Sequence, residues 1–396
     1  MRGESLEVGP RMARFDPVER GRHLPVLTGM RGWAALWVLL YHAWGQAGMP
    51  PIRLAVLGFN VELTPFLRMG GTGVMVFFVL SGFLLSLPFA EWQAGMRDKP
   101  ATGRYLLRRV ARVFPAYYAQ LAIVLAAAYL SYGPAALPSL ADMTRHLLML
   151  FMPPPLGTEP RNLVWWTLPI EFSFYLALPV LAVLLRPDRR IWLIALAWMS
   201  MIVWRYFAVT WLADSSIQAR VYASYQLPGS MDSFGFGMLA AVLYVHRENM
   251  LFRLKRPVDL DRVTVLALIL LIAAVYWQHY GSDAYWKNNP IFYLWTPALS
   301  LGISAIVLAG VGGGRIARLL FANRFMKFAG LVSYSVYLWH FPILVWMKSL
   351  PFVQAMADHR LVVLLLAGIP ATLAVASVSY FLVERPFLRI RIRSRG

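Results

Sequence analysis

Arg31 and His42 stand eleven residues apart in the segment RGWAALWVLLYH. On an α-helix that spacing is close to three turns, so the guanidinium and the imidazole share one face about 16 Å apart. An imidazole is the side chain suited to taking and returning a proton near neutral pH, and a guanidinium grips phosphate or carboxylate oxygens with two parallel donors. In an apolar setting either group is costly unless it faces a polar cavity or a partner. The plainer alternative is an ordinary interface anchor at Arg31 and a bundle hydrogen bond at His42.

A second pair follows in RYLLRRVARVFPAYY, where Arg109 and Arg112 lie three residues apart and therefore on neighbouring turns. As chemistry, two such forks make a clamp for phosphates; as topology, they are a cytoplasmic signal. Every basic residue in that stretch is arginine, although lysine would orient a helix equally well. Between the two pairs, GGTGVMVFFVLSGFLLS carries Gly70, Gly71, Gly73, Ser81 and Gly82, small residues that let helices approach closely.

The elements that must hold these groups are set by composition. Of the 396 residues 59% are hydrophobic and 14% charged, which places the chain among integral membrane proteins. We expect an all-α fold of about ten transmembrane helices in one domain, near 33–50, 70–90, 113–131, 165–185, 191–209, 228–246, 262–280, 291–310, 327–348 and 360–382. On that topology 29 of the 38 basic residues fall on segments sharing a side with the N-terminus. The asymmetry puts both termini in the cytoplasm and accounts for the net charge of +19 without a nucleic-acid partner. HLLMLFMPPPLGTEPRN, residues 146–162, reads as an outer re-entrant or interfacial piece, because a full crossing there would invert the charge pattern after it. The boundaries that follow are a cytoplasmic tail over 1–24, a transmembrane domain over 25–387 and a basic cytoplasmic tail over 388–396. The stretch through Pro25 has no hydrophobic core or cleavage site and is not read as a signal peptide. No cysteine is present, which excludes thiolate nucleophiles and disulfides. The seven histidines are dispersed without ligand spacing, so no metal site is expected.

Six pieces in order resemble the membrane-bound acyltransferase family 3, bacterial proteins that O-acylate cell-surface glycans and some small molecules. They are Arg31 and His42 with ten residues between them, FFVLSGFLLS at Phe77, the arginine pair in RRVARVFPAYY, WWTLPIEFSFYL at Trp165, MDSFGFGMLAA at Met231, and GLVSYSVYLWHFPIL at Gly330 with VERPF at Val383. The resemblance runs from about Leu24 to Phe387, with Thr167 where the family more often has serine. It implies an acyl-CoA donor, commonly acetyl-CoA, an essential His42 and Arg31, Arg109 and Arg112 on the CoA side, a hydroxyl acceptor on a glycan, lipid-linked sugar or secreted metabolite, and a place in the bacterial inner membrane. Ending soon after its last span, the chain is expected to lack the hydrolase-like domain of longer members. His42 would then act as general base in a direct transfer, or form an acyl-histidine intermediate; sequence leaves both open.

Other ionisable groups at membrane depth are costly and so call for a partner or a cavity. Glu171 is a candidate for binding acceptor hydroxyls or orienting an imidazole, against an equal case for structural pairing. His340 precedes Pro342, whose missing N–H frees a carbonyl, and reads as a structural hydrogen bonder. Asp232 and Glu384 read as partners of arginines. Trp165, Trp166, Trp211, Trp286 and Trp295 read as an outer aromatic belt. A transporter or a scaffold of a polysaccharide pathway remains the alternative to an enzyme, although no internal repeat supports the former.

Overall fold

The structure, a computed structural model, describes residues 24–56, 58–151, 159–246, 257–286 and 289–390. Most of both tails, 1–23 and 391–396, lies outside the described residues, as does the centre of the proline-rich segment.

Ten principal helices follow the expected order. They are α1 (Pro25–Gln46), α2 (Gly73–Gln93), α3 (Thr102–Tyr132), α4 (Leu168–Leu181), α5 (Arg190–Trp211), α6 (Met231–Val245), α7 (Pro257–Tyr280), α8 (Ile291–Val311), α9 (Ser333–Ser349) and α10 (Ala357–Leu388). Among the described residues six helical stretches are long and apolar enough to cross a membrane: Thr64–Gln93, Thr102–Tyr132, Leu163–Leu184, Pro187–Trp211, Ile291–Val311 and Ala357–Leu388. Arg324–Leu331 and α9, bent by 76° where they meet, make a seventh if taken together. Helices of this kind mark a multi-pass membrane protein. Along α10 two π-helical turns interrupt the α pattern, at Leu364–Gly368 and Tyr380–Glu384.

Among the described residues the fold is all-α apart from one small element. After α1 a short antiparallel hairpin pairs β1 (Arg53–Val56) with β2 (Phe59–Glu62). Apolar and polar residues alternate along β2, as Phe-Asn-Val-Glu, and both strands lie beyond the apolar window, where no helical period competes.

α1 also begins eight residues earlier than its apolar pattern indicated. Pro25 sits in its first turn, where a missing N–H costs nothing. The polar-looking start persists as helix because another segment packs onto it: a Cβ on Gly29 would fall 1.6 Å from the carbonyl oxygen of Phe321. Arg31 therefore lies six residues inside the helix, and His42 four residues from its end rather than at its middle.

Packing fixes the directions of the helices around these groups. Gly73 abuts Ala34 and Gly70 abuts Trp37, so α1 and α2 run antiparallel. Arg31 shares a cavity with Ser333 and Tyr334 while His42 meets His340, so α1 and α9 rise together. Gly237 of α6 lets α2 come so close that a Cβ there would lie 2.1 Å from the Val79 carbonyl. Beside that contact Phe78, Phe234 and Phe174 stack at 4.6 and 4.1 Å between centroids, each stacked pair adding about 0.5–1.5 kcal/mol beyond area burial. This aromatic column joins α2, α6 and α4.

In the short helix Leu140–Leu147, outside the six stretches, His146 is 1% exposed. Its Nδ1–H donates to the Asp142 carbonyl at 2.7 Å, and its Nε2 accepts the Arg161 backbone N–H at 3.2 Å. Burial, with the Arg161 charge adding to it, pushes this imidazole below its usual value of 6.5, against the Asp142 carbonyl, which pulls it up. A lowered folded-state value means that folding favours the neutral ring. The stabilisation is complete above pH 6.5 and drains away as pH falls from there toward the folded value. Thermal unfolding in detergent should show the midpoint declining below about pH 6.5, with a flatter profile in His146→Gln protein.

Candidate active site

A polar cavity of about 110 Å³ opens among α1, α2, α3, α4 and α9. One water needs roughly 10–15 Å³ of such space, so this is a chamber and not a packing defect. Arg31, Arg109, Arg112 and Glu171 all line it, together with Ser81, Thr167, Tyr175, Tyr334 and Tyr337. The four charged residues thus converge from three helices separated by up to 140 positions in sequence.

Their states differ. Arg112 donates from Nη1 to Glu384 Oε2 at 3.0 Å, and the other oxygen of Glu384 accepts from Ser335 Oγ. Glu384 is 1% exposed, so Arg112 is already committed to a buried ion pair. Arg31 and Arg109 are not so engaged: the Nε of each is buried with no hydrogen-bond partner among the described residues. Arg109 stacks over the Tyr175 ring at 5.9 Å. Glu171 accepts from Ser81 Oγ at 2.8 Å. Two guanidinium groups with unpartnered Nε atoms facing this chamber form a receptacle for an anion with several oxygens.

Glu171 faces this receptacle from the first turn of α4, and among the described residues no hydrogen bond joins it to His42. Of the two readings of Glu171, the cavity sets it beside the arginine cluster, as a pairing residue would be. Thr167, at the turn before α4, instead hydrogen-bonds Tyr337 Oη at 2.8 Å across the cavity wall.

His42 lies beyond the cavity. Its Nδ1 is 3.0 Å from the Val38 carbonyl and 3.0 Å from His340 Nε2. A carbonyl only accepts, so His340 Nδ1–H donates to Val336 O at 3.0 Å, and the neutral His340 ring presents a bare Nε2. His42 Nδ1 then faces two acceptors and bears the hydrogen, which leaves His42 Nε2 with its lone pair free. Phe341 closes one side of the ring, edge-on at 5.2 Å. On α9 a single stripe, Tyr334, Tyr337, His340 and Phe341, leads from the arginine cavity to this imidazole.

Comparison with known proteins decides the lineage. The family model described as an acyltransferase domain, acyltransferase 3, matches residues 25–382. The chain belongs to the acyltransferase 3 family. Among its relatives the acyltransferase MdmB of Streptomyces mycarofaciens is 31% identical over 43% of the chain and 42% of its own length. The O-acetyltransferase OatA of Staphylococcus aureus (strain NCTC 8325 / PS 47) is 24% identical over 97% of the chain and 59% of its length. The chain therefore spans about three fifths, or less, of the curated relatives it matches. No solved structure matches it.

Within this acyltransferase 3 chain some sequence readings change. His340 is no solitary structural histidine, and nothing local announced its pairing beyond its being a second mid-span imidazole. The carbonyl freed by Pro342, that of Leu338, is taken by Gln120 and Asn162 instead. Asp232 lies 3.8 Å from the buried Arg205, as its reading anticipated. The aromatic belt loses Trp165 and Trp295, which are 0% and 4% exposed and hydrogen-bond to Gln120 and the Ala274 carbonyl.

Proposed function

We propose that this chain is a membrane O-acyltransferase that takes an acyl group, typically acetyl, from cytoplasmic acyl-CoA and delivers it to a hydroxyl of a glycan or lipid-linked sugar. One observation carries the reading: a single unbroken helix, α1, bears an open guanidinium inside an arginine-lined cavity and, about 16 Å further on, an imidazole with its Nε2 free. Arg31 and Arg109 hold the phosphate end of CoA, and the pantetheine arm runs along α9 toward His42. There His42 Nε2 removes the acceptor's hydroxyl proton while the oxygen attacks the thioester carbonyl. The C–S bond breaks, an ester forms, and the departing thiolate recovers the proton from the imidazolium. No cysteine competes as nucleophile. Glu171 offsets part of the positive charge of the chamber and leaves a net charge for an anion to neutralise.

Purified protein in lipid nanodiscs with labelled acetyl-CoA tests this. Release of free CoA thiol, slow with water as acceptor and faster with glycan fragments, is the expected result. Protein that neither binds CoA nor cleaves the thioester with any hydroxyl acceptor would overturn it in favour of an exporter or scaffold.

We further propose ten crossings of the bacterial inner membrane with both termini cytoplasmic, supported by the distribution of basic residues and by the parallel course of α1 and α9. The chain has no cysteine, so single cysteines report topology directly. Arg190→Cys, at the start of α5, should resist membrane-impermeant maleimide in intact cells and react after permeabilisation. Labelling from outside would reverse the orientation.

A further inference from the structure

We propose that His340 is the positioning residue of His42: it fixes the Nδ1–H tautomer and accepts the hydrogen bond of the imidazolium that forms during transfer. The proposal rests on the reading of His42 as the proton-transferring group.

The two rings come from helices 298 positions apart in sequence, and their centroids are 5.0 Å apart. Each ring could satisfy its own donor on the carbonyl four residues back, Val38 for His42 and Val336 for His340. Packing alone would ask for no more. What the pair adds is a partner for His340 Nε2, an acceptor on a side chain that is 0% exposed, and that partner is His42 Nδ1–H. The hydrogen on His42 is thereby confined to the nitrogen facing α9, and the lone pair to the opposite nitrogen. When Nε2 takes a proton, the positive ring keeps donating from Nδ1 to a bare imidazole nitrogen, a hydrogen bond that strengthens as charge develops. His340 sits one turn beyond Tyr337 and does not line the arginine cavity, so its contribution falls on turnover and not on donor capture.

His340→Leu should lower kcat about ten- to a hundredfold with the acetyl-CoA KM unchanged. The amides divide the two ring nitrogens. Gln carries an oxygen near the position of Nε2 and should recover much of the rate, whereas Asn can replace only the Nδ1 donor to Val336 and should not. In protein that already carries His42→Ala, His340→Leu should cost nothing further. Full kcat in stable His340→Leu protein overturns the proposal. So does a loss that Gln and Asn repair equally, or one that persists undiminished without His42, because each marks a structural histidine. Should the Leu variant fail to insert, the Gln and Asn pair decides alone. An active His42→Ala enzyme sinks the underlying reading instead, and the two failures are thus told apart.

Discussion

His42→Ala protein is expected to bind acetyl-CoA as the parent does and to transfer the acyl group about a hundred- to ten-thousandfold more slowly, the range for removing a general base. The separation of binding from turnover follows from the geometry. His42 lies outside the arginine cavity, so its loss leaves the receptacle intact, and its half-buried ring makes its hydrogen bonds and ring contacts with Val38, Tyr41, His340 and Phe341. A histidine kept only for a hydrogen bond inside a bundle is worth about 0.6–2 kcal/mol, and its removal would lower the melting temperature while activity survived. Isothermal binding of CoA, a melting curve and single-turnover transfer on one preparation separate the outcomes. Normal stability with full transfer ends the catalytic reading.

Arg109→Ala and Arg112→Ala should fail in different ways, although the two residues look equivalent in sequence. Arg109 brings a guanidinium with an unpartnered Nε to the cavity, so its loss should raise the acetyl-CoA KM tenfold or more and leave thermal stability nearly unchanged. Lysine there should rescue only in part, since the fork is lost. Arg112 neutralises Glu384, and truncating one member of a buried pair strands the other at a cost of about 3–5 kcal/mol. Arg112→Ala should therefore melt early or fail to accumulate, and adding Glu384→Gln should restore stability. If Arg112→Ala is as stable as the parent and differs only in donor affinity, the ion pair is not what holds α3 to α10.

The contrast between these two arginines marks where sequence stopped informing. The order of the long apolar helices follows from hydropathy and helical spacing, which act within one or two segments, whereas putting Arg31, Arg109 and Arg112 at one site is an implication of the family resemblance. Glu384 finds Arg112 across 272 positions and His340 finds His42 across 298, and no local period encodes which of several buried polar groups will meet. The start of α1 was displaced for a related reason. A window over Leu24–Gly32 sees glycines and an arginine, whereas the helix sees the backbone of Phe321 packed against it. Depth in the membrane likewise does not say which neighbour the Glu171 carboxylate will face.

The π turn at Tyr380–Glu384 has a consequence for how this chain tolerates changes in length. A π turn holds one residue more than the α turn it replaces, so it behaves as an insertion absorbed without breaking the helix. Glu384 closes that turn. Deleting one of Tyr380, Phe381, Leu382 or Val383 would let α10 relax to regular pitch, with Glu384 and everything beyond it close to the present register on Arg112 and Ser335. The turn is therefore a length buffer: this chain can give up one residue there and keep its clasp, whereas the same deletion in a regular stretch of α10 would turn Glu384 away from Arg112.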